Sequence, residues 1–171
     1  KGCIARGAQS IHDIITVNDK NGVFAKASIK SYGDSIHSFI NNKEYPIWAP
    51  SFILKDNPSS SEDTKIELID HVVANVELDK MDSWKEYYEK VFGFCAFVRF
   101  DETDISTKYS SLKSVVLRSK NWRVKLPINE PAEGLKKSQI EEYLDFNEGP
   151  GIQHIALLSS DILETIRVLR N

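Results

Sequence analysis

The stretch Ile69-Asp-His-Val-Val-Ala74 places a histidine early in an apolar, β-branched run, and Ile152-Gln-His-Ile-Ala-Leu157 repeats the pattern with its histidine 83 positions later. Runs rich in Val and Ile favour β-strands. In each copy the strand is followed by a loop with acidic residues and then by a helical pattern. This self-similarity predicts two copies of one strand–helix–strands unit, the second cut after its helix.

The helix of the first copy has the clearest pattern. Its apolar residues recur at helical spacing, at Trp84, Tyr87, Tyr88, Val91 and Phe92. This spacing predicts an amphipathic helix that ends at Phe92 with Gly93 as its C′ residue. Asp79 or Asp82 is the expected N-cap.

The remaining elements follow from alternation and turn residues. The first forty residues are typical of a β meander, and 41–64, rich in Pro and Ser, of a connector. In the second unit we expect strands at 65–76, 94–100, 109–118, 122–126 and 152–158, a hairpin turn at 119–121, and a helix from Ser138 to about Phe146. A last helix, capped by Ser160 or Asp161, is expected to bury Ile162, Ile166 and Leu169.

Composition excludes several classes of protein. The chain has 171 residues, a formal charge of −3 and a pI of about 5.8, without a Lys/Arg cluster, so we expect no nucleic-acid partner. No apolar run approaches the roughly 18 residues of a membrane span. Cys3 and Cys95 are too few for a disulfide framework and favour a reducing, cytoplasmic compartment. The chain lacks an initiator Met and ends within a helical pattern, so we expect a piece of a longer protein.

The histidines are the candidate functional residues. Period-2 alternation places His71 on a strand face with Ile69 and Val73, and His154 on a face with Ile152 and Ala156. An imidazole on such a face is either a satisfied core residue or a metal ligand. The repeat favours metal binding, because it brings equivalent positions together. His12 and His37 lie in turn-like, polar surroundings and are interpreted as surface or structural residues.

The residues alone do not identify the metal or its third ligand. Two histidines and a carboxylate suit non-heme Fe(II), and Zn²⁺ accepts the same set. Asp70 adjoins His71 and should face the other side of its strand. Glu130 and Glu141 lie in loop or helix contexts. We therefore expect the third ligand outside this chain.

Six segments in one order resemble a known family: Ile69-Asp-His-Val72, Tyr87-Tyr-Glu-Lys-Val-Phe-Gly-Phe94, Tyr109-Ser-Ser-Leu-Lys-Ser114, Pro127-Ile-Asn-Glu-Pro131, Lys137-Ser-Gln-Ile140 and Gly151-Ile-Gln-His-Ile-Ala156. Together they resemble the 4-hydroxyphenylpyruvate dioxygenase family of the vicinal-oxygen-chelate superfamily. The resemblance is strong over 65–171 and looser over 1–58.

The resemblance implies the α+β fold class, as a vicinal-oxygen-chelate fold of βαβββ modules forming half-open barrels. Residues 1–60 would be the C-terminal part of a non-catalytic barrel domain, and 61–171 the first part of the catalytic one. It implies an Fe(II) enzyme that converts 4-hydroxyphenylpyruvate and O₂ to homogentisate and CO₂ in tyrosine and phenylalanine catabolism, as a homo-oligomer. His71 and His154 match the family's iron histidines. Its glutamate ligand would lie beyond Asn171, so the isolated chain is expected to be inactive.

The resemblance also implies four substrate-binding residues: Ser114, Asn129, Gln139 and Gln153. Each has a simpler interpretation, since Ser114 fits a small buried residue, Asn129 a turn and Gln139 a solvated first-turn amide. Gln153 points away from His154 under strict alternation, unless the strand bulges.

Three alternative functions remain. 4-Hydroxymandelate synthase uses the same substrate and iron, although Pro127-Ile-Asn-Glu-Pro131 looks more like the dioxygenase. A metal-free binding module on the same fold would keep His71 and His154 as core residues. A zinc or nickel lyase of the superfamily would have no use for the Ser-Gln and Asn-Glu-Pro motifs.

Overall fold

The structure is a computed structural model that describes residues 1–54, 63–101, 111–132 and 136–170. The expected domain boundary at 60/61 and the expected strand start at Tyr109 lie outside these residues. Within them, no helix is both long and apolar enough to cross a membrane.

The first sheet is the expected meander. A short helix α1 (Gly2–Ala5) precedes three antiparallel strands, β1 (Ile15–Asp19), β2 (Gly22–Lys30) and β3 (Ile36–Asn41). The β1–β2 turn requires glycine at position 22, because φ is +119° and an added Cβ would lie 2.3 Å from the Glu44 carbonyl oxygen.

The second sheet has five strands in the order β5-β6-β7-β4-β8. β4 pairs in parallel with β7, and the other neighbours are antiparallel. This βαβββ unit, followed by a second strand and helix, confirms the α+β prediction. The elements are β4 (Ile66–Asn75), α2 (Met81–Phe92), β5 (Cys95–Phe100), β6 (Ser111–Arg118), β7 (Lys125–Ala132), α3 (Gln139–Phe146), β8 (Gly151–Ser159) and α4 (Ile162–Leu169).

Helix α2 packs on one face of this sheet and forms the main core. The residues that pack against it come from alternate positions of β4, β6 and β7 and from Val76 directly after β4. They are Ala74, Val76, Val115, Leu117, Leu126 and Ile128. Because side chains alternate along a strand, His71, Val73 and Asn75 of β4 lie on the opposite face. The core therefore leaves that second face for a site.

The ends of α2 follow the sequence only in part. Gly93 has φ +69° and is the expected left-handed residue at the C-terminus. The expected Asp79 or Asp82 cap is wrong: Lys80 is the N-cap residue and makes no side-chain cap bond. Instead, Oε2 of Glu130 accepts the Met81 N–H at 3.0 Å. A buried carboxylate from β7 thus satisfies the helix N-terminus.

The hairpin after β6 is longer than predicted. The turn runs over 119–124, closed by the Ser119 N–H on the Val124 carbonyl at 2.9 Å, with Trp122 at φ +62°. That conformation cannot continue a strand, so β7 begins at Lys125 rather than at Trp122. It then extends to Ala132.

Helix α4 does not bury the residues expected. Asp161, one of the two predicted N-cap residues, caps the helix by accepting the Glu164 N–H. Ile162, Ile166 and Leu169 are exposed, and Thr165 is the buried residue of the helix. The Thr165 hydroxyl donates to the Thr64 carbonyl at 2.6 Å. The helix is therefore attached through polar contacts, while its apolar stripe has no cover within the described chain.

The first sheet contacts helix α2 at a cluster formed by Ser31, His37 and Tyr88. The Tyr88 hydroxyl on α2 lies 2.7 Å from Nε2 of His37 and 3.0 Å from Oγ of Ser31. Tyr88 is fully buried. His37 thus has the structural role that the sequence allowed.

Candidate metal centre

His71 and His154 meet at the β4–β8 border. The two strands are antiparallel neighbours, with Val73 opposite His154 and Ala156 opposite His71. The imidazole centroids are 5.7 Å apart, and the rings are inclined by 74°. The side chain of His71 is about one-third exposed, and His154 is exposed. The repeat therefore brings the two histidines together, as its symmetry required.

The residue before each histidine is an extra residue in its strand. The pairing skips Asp70 between Ile69 and His71, and it skips Gln153 between Ile152 and His154. An unpaired residue of this kind is a β-bulge, which bends the strand and re-aims its side chain. Strict alternation consequently fails at both positions, and the prediction that Ile69 and Ile152 share a face with the histidines is wrong.

Both bulged residues contact the histidine that follows them. Oδ2 of Asp70 lies 2.8 Å from Nδ1 of His71, and Oε1 of Gln153 lies 2.6 Å from Nδ1 of His154. The expectation that Asp70 faces away from His71 is wrong, because the bulge turns its carboxylate toward the ring. An acceptor oxygen at Nδ1 holds the proton there, so Nε2 of each ring keeps its lone pair for a ligand.

Asp70 is itself held in place from the next strand. The Lys125 ammonium on β7 donates to Oδ1 of Asp70. The His71 hydrogen bond, and after it Lys125, keep the pKa of the Asp70 carboxyl below its ordinary value. The carboxylate is therefore ionised at neutral pH, in the form that accepts the Nδ1–H. Metal-binding histidines commonly have such a partner.

The separation of the rings fits one shared ion. A metal about 2.1 Å from a ring nitrogen lies about 3.2 Å from that ring's centroid, so two rings on one ion have centroids at most about 6.4 Å apart. The observed 5.7 Å is within this reach. Two imidazoles that bind through Nε2 suit Fe(II) and Zn²⁺ alike.

A third ligand is not supplied by the described residues. Among them, no group of three or more His, Cys, Asp or Glu side chains is placed to hold one ion. Glu130 lies on β7, not in a loop, and caps α2 on the opposite face. Glu141 closes a capping box with Ser138 at the start of α3. Both carboxylates thus have structural partners.

Ser114 and Asn129 lie opposite each other on β6 and β7. Asn129 is not in a turn, as its neighbouring proline suggested, because β7 continues past it to Ala132. Ser114 is buried, and both residues alternate with side chains that face α2. They therefore lie on the same face of the sheet as His71.

The other two predicted substrate residues are placed differently. Gln139 is the first residue of α3 and is exposed, and Gln153 contacts His154. Sequence reasoning missed Asn75, which is two positions beyond Val73 on β4 and lies opposite Asn129 in the parallel register. Continuing the alternation from His71 would have placed it on this face.

The chain matches one family model and several curated relatives. Residues 68–171 match the Glyoxalase/Bleomycin resistance protein/Dioxygenase superfamily. The 4-hydroxyphenylpyruvate dioxygenases of Yarrowia lipolytica and Dictyostelium discoideum are 43% and 42% identical, over 98% of this chain. The alignments cover 44% and 47% of those enzymes, so the chain spans less than half the length of these relatives.

A solved structure shares the fold. A mutant of 4-hydroxymandelate synthase from Streptomyces coelicolor superposes with a TM-score of 0.78 at 22% sequence identity. The superposition covers 99% of this chain and 48% of that one. The two sheets described above are therefore arranged as in a known protein.

Proposed function

Because the chain belongs to the Glyoxalase/Bleomycin resistance protein/Dioxygenase superfamily, we propose that it forms part of an iron(II) dioxygenase that converts 4-hydroxyphenylpyruvate and O₂ to homogentisate and CO₂. The observation that carries the proposal is the meeting of His71 and His154 with both Nδ1 atoms engaged. The names of relatives at 42–43% identity indicate the substrate.

The two sheets have different parts in this proposal. The β1–β3 sheet, within residues 1–60, belongs to a non-catalytic barrel domain, and residues 61–171 belong to the catalytic one. Both candidate ligands lie on the second sheet, which supports the division. The Ser31, His37 and Tyr88 cluster joins the two parts.

The residues of β4 and β8 would hold the metal. Nε2 of His71 and Nε2 of His154 are the ligands, and Asp70 and Gln153 keep each ring in the tautomer that leaves Nε2 free. A carboxylate from outside the described residues would complete a two-His-one-carboxylate set. When bound, iron(II) supplies the redox chemistry that couples O₂ reduction to the oxidative decarboxylation of a 2-oxo acid.

The remaining residues bind and orient the substrate. Ser114 and Asn129 present a hydroxyl and an amide on the face that carries the histidines, and Gln153 presents an amide beside His154. Gln139 is exposed at the start of α3, and it would contact a substrate that extends toward this helix. Buried Val73 lies between the histidine and the asparagine of β4 and excludes water from this part of the face.

Product analysis tests the proposal. The full-length protein that contains these residues is reconstituted anaerobically with Fe(II). It is then given 4-hydroxyphenylpyruvate and O₂. We expect homogentisate, and its loss in His71→Ala and His154→Ala variants that keep the wild-type circular dichroism. 4-Hydroxymandelate as the product would identify the synthase chemistry instead. Substrate binding without turnover or iron would identify a metal-free binding module.

Residues 1–171 alone are proposed to be inactive, since two imidazoles without a carboxylate are a weak donor set for Fe(II). An anaerobic Fe(II) titration of this stretch should give an affinity well below that of the intact protein. A cytoplasmic location and a homo-oligomeric state also stay predictions; two free, half-buried cysteines fit a reducing compartment.

A further inference from the structure

Asn75 is a polar residue in an apolar position. Its side chain is fully buried, and its Nδ2 has no hydrogen-bond partner within the described chain. A buried donor without a partner carries the cost of desolvation, which an apolar residue of similar size would avoid. Stability alone therefore does not explain an asparagine here.

The one side-chain bond of Asn75 in the described chain leads to a predicted substrate residue. Its Oδ1 accepts from Nδ2 of Asn129 at 3.2 Å. The two residues are directly paired where β4 and β7 run in parallel, and Ser114 pairs with Asn129 from β6. Asn75, Asn129 and Ser114 thus form a row of polar side chains across three neighbouring strands.

This row lies beside the candidate metal centre. Val73, two positions before Asn75, pairs with His154, and His71 lies two positions before Val73 on the same face of β4. The strands that carry the two asparagines, β4 and β7, are also in contact with helix α3. Asn75 is fully buried, and half-buried Asn129 is the more accessible of the two asparagines.

We propose that Asn75 is a positioning residue that fixes the side-chain amide of Asn129. With Nδ2 of Asn129 bound to Asn75, its Oδ1 is directed away from β4 and is available to accept a hydrogen bond from the ligand. Without Asn75, the amide of Asn129 loses its anchor and rotates between two orientations. This role rests on the proposed function, because it concerns the recognition of that substrate.

Kinetics of the intact, iron-loaded protein test the role. Replacing Asn75 with Leu, which has a similar size, removes the acceptor, and Asn75→Asp retains one. Since one hydrogen bond changes an equilibrium about five- to tenfold, we expect Asn75→Leu to raise KM for 4-hydroxyphenylpyruvate by about that factor with kcat little changed. Asn75→Asp should recover part of the loss. Val115→Ala, which truncates a buried residue on the α2 side, should leave KM unchanged.

A double-mutant cycle separates positioning from a direct contact. If Asn75 acts through Asn129, then the Asn75→Leu/Asn129→Ala double variant has the KM of Asn129→Ala alone. Effects on KM that multiply, or a wild-type KM in Asn75→Leu, would overturn the proposal.

Nuclear magnetic resonance of metal-free protein gives a readout that does not depend on turnover. The side-chain NH₂ of Asn129, labelled with ¹⁵N and assigned by its absence in Asn129→Ala, should exchange slowly with solvent in the wild type and faster in Asn75→Leu. Equal exchange in both would contradict the contact. A wild-type protein that protects this amide but does not convert 4-hydroxyphenylpyruvate would refute the proposed function and leave the contact established.

Discussion

Replacement of Tyr88 with Phe should destabilise the protein through one hydroxyl group. That hydroxyl lies 2.7 Å from Nε2 of His37 and 3.0 Å from Oγ of Ser31, and Tyr88 is fully buried. The ring contacts of Tyr88 with Tyr32 and Phe94 survive the change. Losing two hydrogen bonds and leaving buried polar partners without a contact costs about 2–3 kcal/mol.

The assay is urea unfolding of the intact protein, followed by circular dichroism. The free energy of unfolding obtained from the urea titration should fall by about 2–3 kcal/mol, seen as a lower urea midpoint at unchanged slope. The matched control is Tyr87→Phe, whose hydroxyl donates to the Lys30 carbonyl at 2.9 Å in an exposed position. The control should lose less than about 1 kcal/mol. A Tyr88→Phe variant as stable as Tyr87→Phe would refute the reasoning that this cluster holds the sheets together.

Three further changes test other parts of the fold. Glu130→Leu should cost about 2–3 kcal/mol in urea unfolding, because it leaves the α2 N-terminus without its buried cap; a wild-type midpoint would contradict this. Burial lowers the pKa of His37, so the unfolded state binds the proton more readily and stability should fall as pH drops below about 6.5. His37→Gln should weaken that dependence, and an unchanged pH profile would exclude His37 as its source. Gly33→Ala should destabilise more than Gly93→Ala in thermal unfolding, because an added Cβ at Gly33 lies 2.3 Å from the Pro150 carbonyl oxygen, whereas at Gly93 it meets nothing within 4 Å. Equal losses would show that the positive φ shared by both glycines accounts for the whole effect.

The elements that decide the fold were readable because their signals are local. The β-branched runs around His71 and His154, the stripe of α2 and Gly93 each lie within one element. Their repetition also predicted that the two histidines would meet. Hydrophobic periodicity and the residues that begin or end a helix are the features that a single sequence predicts most directly.

The residues that hold the two imidazoles in place could not be predicted from the sequence, because their positions depend on how neighbouring strands align. The bulges at Asp70 and Gln153 exist only relative to the opposite strand, and they reverse the faces that alternation assigns. The sequence pattern is compatible with a bulge at Gln153, but nothing in it indicates the one at Asp70. Lys125, which holds Asp70, is 55 positions away in the chain.

The cap of α2 and the exposure of the apolar side of α4 could not be predicted, for a similar reason. Glu130 caps a helix that begins 49 positions earlier, so no local capping signal points to it. The apolar stripe of α4 predicts a buried face, yet burial needs a surface to pack against, and the described chain does not provide one for Ile162 or Leu169. Periodicity gives the face of a helix that is apolar, but not what covers it.

The most direct test is an anaerobic Fe(II) titration of the intact protein and of three single variants. One ion per chain is expected in the wild type, and His71→Ala and His154→Ala should each lose most of the affinity, by at least about 100-fold, since one imidazole ligand is removed. His12→Ala, whose ring contacts the Asp13 carbonyl away from the site, should bind as the wild type does. Undiminished affinity in either His71→Ala or His154→Ala would contradict the claim that these two rings hold one metal together.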